Sequence, residues 1–169
     1  MDRPYVVGID IGGQSAKIGI VDTRGTVLSQ TAIKSNDTNS HVEFIENLCS
    51  AVEKLAEKAN IPMSKIRGIG IGAPNANYYT GTIENAVNLT FGGMKVIPFA
   101  DLMSERIGLP VRLTNDANAA AVGEMTYGAA RGMKNFITIT LGTGVGSGIV
   151  VGGYVLYGHD GFAGELGHV

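Results

Sequence analysis

Tyr5-Val6-Val7-Gly8-Ile9-Asp10-Ile11-Gly12-Gly13 decides how this chain folds: an apolar run at strand spacing ends on an aspartate and opens into paired glycines. Glycine lets backbone N–H groups converge closely on an anion. Far downstream the pattern returns. Phe136-Ile137-Thr138-Ile139-Thr140-Leu141 leads into Gly142-Thr143-Gly144-Val145-Gly146. One such turn is a weak signal, because Gly12-Gly13 alone reads equally as a tight hairpin. Two of them, the first opened by Asp10, imply two lobes gripping one polyphosphate. A carboxylate beside an anion-binding turn is poorly placed unless a cation lies between. Mg²⁺ chelated by phosphates, with its waters facing Asp10, resolves that conflict. No Walker A pattern is present. The second turn is Gly-x-Gly-x-Gly before a strand, which disfavours the dinucleotide fold.

Outward from the first turn, Ala16 to Val21 reads as a second strand, Asp22-Thr23-Arg24-Gly25 as a turn and 26–33 as a third strand, an antiparallel meander. A polar linker at 35–40 follows. Ser40 and Glu43 have capping-box spacing. Phe44, Ile45, Leu48, Val52, Leu55, Ala56 and Ala59 then recur at helical spacing, until Asn60 and Pro62 end the helix. Residues 66–71 read as a strand. Residues 75–97 read as loop with short strands around Tyr78-Tyr79-Thr80-Gly81 and Asn85-Ala86-Val87-Asn88. Pro98 starts a helix with Leu102, Met103 and Ile107 inward, and Gly108 stops it. Val111-Arg112-Leu113 is a short strand. An alanine-rich helix spans about 117–127, and 135–141 with 145–151 form a hairpin around the second glycine turn. The expected class is α/β, a mixed sheet with flanking helices. A small lobe over 1–114 is followed by the start of a second lobe over 115–169. The chain stops directly after a candidate site, so a fragment is expected.

Composition narrows the function classes. Of 169 residues, 44% are hydrophobic and 17% charged, the balance of a globular protein with a core. Net charge is −2 with no basic cluster, so nucleic acid and anionic membrane are poor partners. No apolar run approaches the roughly 18 residues of a membrane span. Met1-Asp2-Arg3-Pro4 enters a strand at once, so no signal peptide is expected. One cysteine, Cys49, excludes an internal disulfide framework and fits a reducing cytoplasm.

Three groups of polar residues invite chemistry. Asn115-Asp116 lies between a short strand and a helix start. It reads either as helix capping or with Asp116 as a general base for a substrate hydroxyl and Asn115 holding a neighbouring one. Asn118 reads as capping or packing. Glu165 and His168 flank Gly167 in a glycine-rich turn. They read either as an exposed polar loop or as hydrogen-bonding groups for a polyol, and His168 equally as one ligand of a metal site. Tyr78 and Tyr79 suit a hairpin surface or stacking on a sugar ring. Cys49 reads as packing, and His159 and Asp160 carry no assignment.

Taken together, Asp10-Ile11-Gly12-Gly13, Gly72-Ala73-Pro74, Asn115-Asp116-Ala117-Asn118, Leu141 to Gly146, and Gly164-Glu165-Leu166-Gly167-His168 resemble the ROK family of sugar kinases and repressors, within the hexokinase–actin superfamily. The resemblance runs from residue 5 to the end and covers roughly the N-terminal half of a member. It implies an actin-like (ribonuclease H-like) lobe. It also implies ATP and Mg²⁺ as cofactors, a hexose as substrate, and a homo-oligomer for the complete protein. Asp10, Gly12 and Gly13 match the first phosphate motif, and Gly142, Thr143 and Gly144 the second. Asp116 matches the catalytic base. Asn115, Glu165 and His168 match sugar-hydroxyl ligands, and Gly72 a backbone sugar contact. In many members the histidine matching His168 also binds a structural zinc with downstream cysteines, absent from this chain. The family's repressors need an N-terminal helix-turn-helix, whereas this chain opens on a strand. Three positions depart from the family pattern. Gln14 stands where Thr is usual. Asn75 follows Gly72-Ala73-Pro74 in place of Gly. The stretch 88–93 lacks the usual tryptophan.

Overall fold

The structure, a computed structural model, describes residues 2–38, 40–86, 89, 95–142 and 144–168, the side chain of His168 excepted. β1 (Tyr5–Ile11), β2 (Ser15–Val21) and β3 (Val27–Lys34) form the expected antiparallel meander, with Ile9 opposite Ile18 and Ile11 opposite Ala16. α1 (His41–Lys58) starts where the Ser40 hydroxyl accepts from the Val42 N–H at 3.2 Å, and it buries Phe44, Ile45, Leu48, Cys49, Val52, Leu55 and Ala56. Asn60 then turns the chain with φ 53°, a left-handed conformation asparagine tolerates.

β4 (Ile66–Gly72) and β8 (Val111–Thr114) complete one five-stranded sheet in the order β3-β2-β1-β4-β8. β4 lies parallel to both β1 and β8. Parallel neighbours need a crossover. α1 supplies the first and α2 (Phe99–Ile107) the second. Both helices share one core with the sheet, where Phe44 and Phe99 meet with ring centroids 6.3 Å apart. In α2, Phe99 and Met103 are fully buried while Leu102 and Ile107 are half-buried. Pro98 sits at the cap, just outside the first turn. Strand alternation sends Val7, Ile9 and Ile11 into this core and leaves Val6, Gly8 and Asp10 on the opposite face. A cleft of about 920 Å³, floored by Gly8, Gly19 and Gly70, runs along that face.

A small sheet of β5 (Ala76–Asn77), β6 (Thr82–Glu84) and β7 (Val96–Ile97) sits between β4 and α2. The segment 78–81, expected near a strand, is the turn between β5 and β6. The Asn77 carbonyl oxygen of the side chain accepts from the Tyr79 N–H at 3.0 Å, and the main-chain carbonyl accepts from Gly81 at 3.0 Å. Such local capture competes with the strand ladder. Asn85, expected in a second strand, instead takes φ 50° beyond β6. Of the stretch 88–93, only buried Leu89 lies within the described residues.

α3 (Asp116–Tyr127) follows β8 directly. β9 (Phe136–Leu141), β10 (Val145–Val151) and β11 (Tyr154–Val155) form a separate sheet in the order β11-β10-β9. α3 packs on β9 and β10 and also touches β4, so it bridges the two sheets. Among the described residues no helix is long and apolar enough to cross a membrane.

Candidate active site

The end of β8 fixes the centre of the site. Asn115 caps α3: its side-chain oxygen accepts from the N–H of Ala117 at 2.8 Å and of Asn118 at 3.4 Å. Its amide nitrogen donates to Glu165 Oε1 at 2.8 Å, across fifty residues of chain. Capping and site-building are thus the same residue, one end of the amide serving each. Asp116 becomes the first helical residue and is exposed, with one oxygen accepting from the Ala117 N–H at 2.8 Å. The helix terminus favours an anion there.

Asp116 opens into a cleft of about 910 Å³ lined also by Gly12, Gly13, Asn115, Gly142, Gly144 and Glu165. Both glycine turns and the carboxylate therefore share one cavity. The first turn is closed by the Gly12 N–H donating to the Ser15 carbonyl at 2.9 Å and by the Ser35 hydroxyl donating to the Gly12 carbonyl at 2.6 Å. In the second, the Gly142 N–H donates to the Gly144 carbonyl at 3.0 Å. A Cβ at Gly142 or Gly144 would meet nothing within 4 Å, so this backbone faces open space. Thr143 lies outside the described residues.

Two expected site residues stand beside Asp116 on the open face of the large sheet. Asp10 and Gly72 line the neighbouring cleft on the open face of the large sheet, where β1, β4 and β8 set Asp10, Gly72 and Thr114 in one row. Gly72 is buried. A Cβ there would lie 3.3 Å from the Ala119 methyl and 3.5 Å from the Asp116 Cα. Its glycine lets α3 approach the sheet, and the cavity wall at that point is Pro74 and Asn75 instead. Asn75 explains the departure from the usual glycine. It holds φ 53°, and its amide donates to the Glu84 carbonyl at 2.9 Å.

Two open backbone turns fit a polyphosphate. Mg²⁺ fits as an ion carried in by phosphates. Among the described residues no cluster of three His, Cys, Asp or Glu side chains would hold a metal. The His168 backbone ends a 3₁₀ turn, Leu166–His168, and its side chain lies outside the described residues, so no zinc ligand is assigned.

Sequence reasoning missed Phe162 and Thr140, which line the cavity, and Ser147, whose buried hydroxyl donates to the Gly164 carbonyl next to Glu165. Phe162 was signalled only by an aromatic between glycines ahead of Glu165. Ser147 looked like an ordinary strand residue.

The glucokinase of Halalkalibacterium halodurans is 41% identical over 169 residues, 99% of this chain and 50% of its own. The xylose repressor of Caldicellulosiruptor bescii is 30% identical over 168 residues, 99% of this chain and 41% of its own. A ROK family glucokinase from Streptomyces griseus, solved in complex with glucose and AMPPNP, matches with a TM-score of 0.84 at 35% identity, covering 98% of this chain and 50% of that one. The chain spans about half the length of the relatives it matches. Its mixed sheet with flanking helices is the actin-like α/β fold of these sugar kinases. With the ROK family pattern matching residues 6–169, the chain belongs to the ROK family.

Proposed function

We propose that the protein is an ATP-dependent hexose kinase. The observation that carries this reading is the entry of the Asp116 carboxylate into the cleft that both glycine turns line. Asp116 orients one sugar hydroxyl and accepts its proton as that oxygen attacks the terminal phosphorus in line. The new O–P bond forms as the bond to the bridging oxygen breaks, and the nucleoside diphosphate leaves. Asn115 and Glu165, already hydrogen-bonded to each other, hold neighbouring hydroxyls. The backbone N–H groups of Gly13 and Gly144 face the phosphates and stabilise their charge, while those of Gly12 and Gly142 close their own turns. Bound MgATP supplies the phosphoryl group and the cation that offsets its charge. The boundary between the lobes falls at 114/115, where the five-stranded sheet ends and α3 begins. The glucose carried by the Streptomyces griseus structure supports a hexose as substrate. The relationship to a xylose repressor favours one second reading, a sugar-binding regulator built on the same half.

The test is a coupled assay of nucleoside diphosphate release over a panel of hexoses, using the protein as its gene encodes it. Sugar binding is measured in parallel. Phosphorylation of at least one hexose is expected. Asp116→Asn should lower kcat by about 10²–10⁴-fold while sugar affinity stays within a few-fold. Sugar binding without turnover in the unmodified protein supports the regulator instead. Equal loss of turnover and affinity in Asp116→Asn removes the base role.

A further inference from the structure

The turn between β5 and β6 reaches across to the segment that delivers Glu165. Asn77 is 6% exposed and fully engaged. Its oxygen accepts from the Tyr79 N–H at 3.0 Å, while its amide donates to the Asp160 carbonyl at 3.0 Å and to Glu84 Oε1 at 3.1 Å. The Tyr79 hydroxyl donates to the Gly158 carbonyl at 2.9 Å. The Tyr78 and Tyr157 rings stack with centroids 4.3 Å apart and planes 3° from parallel. Gly161 closes the arrangement. With φ at +88° and a Cβ that would come 2.5 Å from the Asn77 oxygen, it leaves that side chain no competitor for the space. Two carbonyls of the loop 157–163 are thus gripped by the small sheet, and Gly164 is gripped from the other side by Ser147. Glu165 is the next residue.

We propose that Asn77 and Tyr79 are positioning residues for the sugar site, clamping the loop 157–163 so that Glu165 meets Asn115 in the cavity. Neither residue lines that cavity. Their effect passes through the loop, and it rests on the reading of Glu165 as a sugar ligand. The buried Asn77 amide and the exposed Tyr79 hydroxyl together hold a glycine-rich loop in a single register. Without them the loop's backbone carbonyls face water and Glu165 samples several positions.

Two readouts test this, one independent of any activity. Hydrogen exchange of the peptide covering 157–166 should quicken at least about tenfold in Asn77→Ala and measurably in Tyr79→Phe. The second variant removes a single hydroxyl and guards against failure to fold. Exchange in α1 should be unchanged. Sugar affinity, read as KM or directly as Kd, should weaken about 5–50-fold in Asn77→Ala, with kcat and the nucleotide KM within twofold. The same substitution in a Glu165→Gln background should add little further loss. Unchanged exchange at 157–166 overturns the clamp. Faster exchange with unaltered sugar affinity, or additive losses in the double variant, overturns the positioning role. A protein that binds no hexose at all refutes the kinase reading instead, and the exchange measurement still decides whether the clamp exists.

Discussion

Glycine performs two separate jobs in the run from Gly142 to Gly148. Gly142 and Gly144 face open space, where a Cβ would meet nothing. At Gly148 a Cβ would come 2.6 Å from the Ala121 methyl and 2.7 Å from the Ala117 carbonyl of α3, and the latter is backbone that cannot swing aside. Gly142 and Gly144 belong to the turn ahead of β10, whereas Gly148 lies within β10, beneath α3. Gly148→Ala should therefore destabilise the fold by about 1–3 kcal/mol, seen as a lower denaturation midpoint. Gly144→Ala should leave the midpoint within roughly 0.5 kcal/mol and raise the nucleotide KM. The reverse pattern would exchange the two roles. Asn115 shows the same economy with one side chain, capping α3 through its oxygen while its amide holds Glu165.

At the level of elements, α1 contributes seven buried residues to the core beneath the five-stranded sheet. Its buried stripe spans one face, and Phe44, Leu48, Cys49 and Val52 are fully enclosed. Leu48→Ala should cost about 2–5 kcal/mol by leaving a cavity. Ser40→Ala removes only the cap at Val42 and should cost about 1 kcal/mol. Chemical denaturation of the two variants should preserve that order. Across the top of the helix pair, Arg106 of α2 donates to Glu46 at 2.5 and 2.7 Å and to Glu53 at 3.0 Å. The guanidinium holds the Glu46 carboxyl below its ordinary range. The cluster is open to solvent, so added salt screens it, and it orients the helices more than it binds them.

For the whole molecule, the lone cysteine reports on the core. Cys49 lies on the buried face of α1, and burial pushes its thiol up from 9.0 to about 11. The protonated form is favoured by folding. Its contribution is therefore complete below the ordinary value and is lost as pH climbs toward about 11. The fall in stability between pH 9 and 11 should be shallower in Cys49→Ala than in the unmodified protein. At pH 8 a disulfide-exchange reagent should label Cys49 only at the rate of core opening, accelerating sharply at the denaturation midpoint. Immediate labelling of the native protein would place the thiol at the surface.

The sequence by itself determined the meander, the amphipathic α1, the strand–glycine turns and the pairing of Asn115 with Asp116. Each is a local matter: spacing of apolar residues, caps and turn chemistry act within a few positions. Tertiary structure alone decided which glycines face ligand. Gly72 and Gly144 are indistinguishable in sequence, yet α3 lies against one and the cleft lies before the other. It alone sent Asp10 to the neighbouring cleft, because the face a strand residue takes depends on which side the crossover helices cover. It alone joined Asn77 to Asp160 and Ser147 to Gly164, since contacts between distant segments are set by how two sheets meet around one helix.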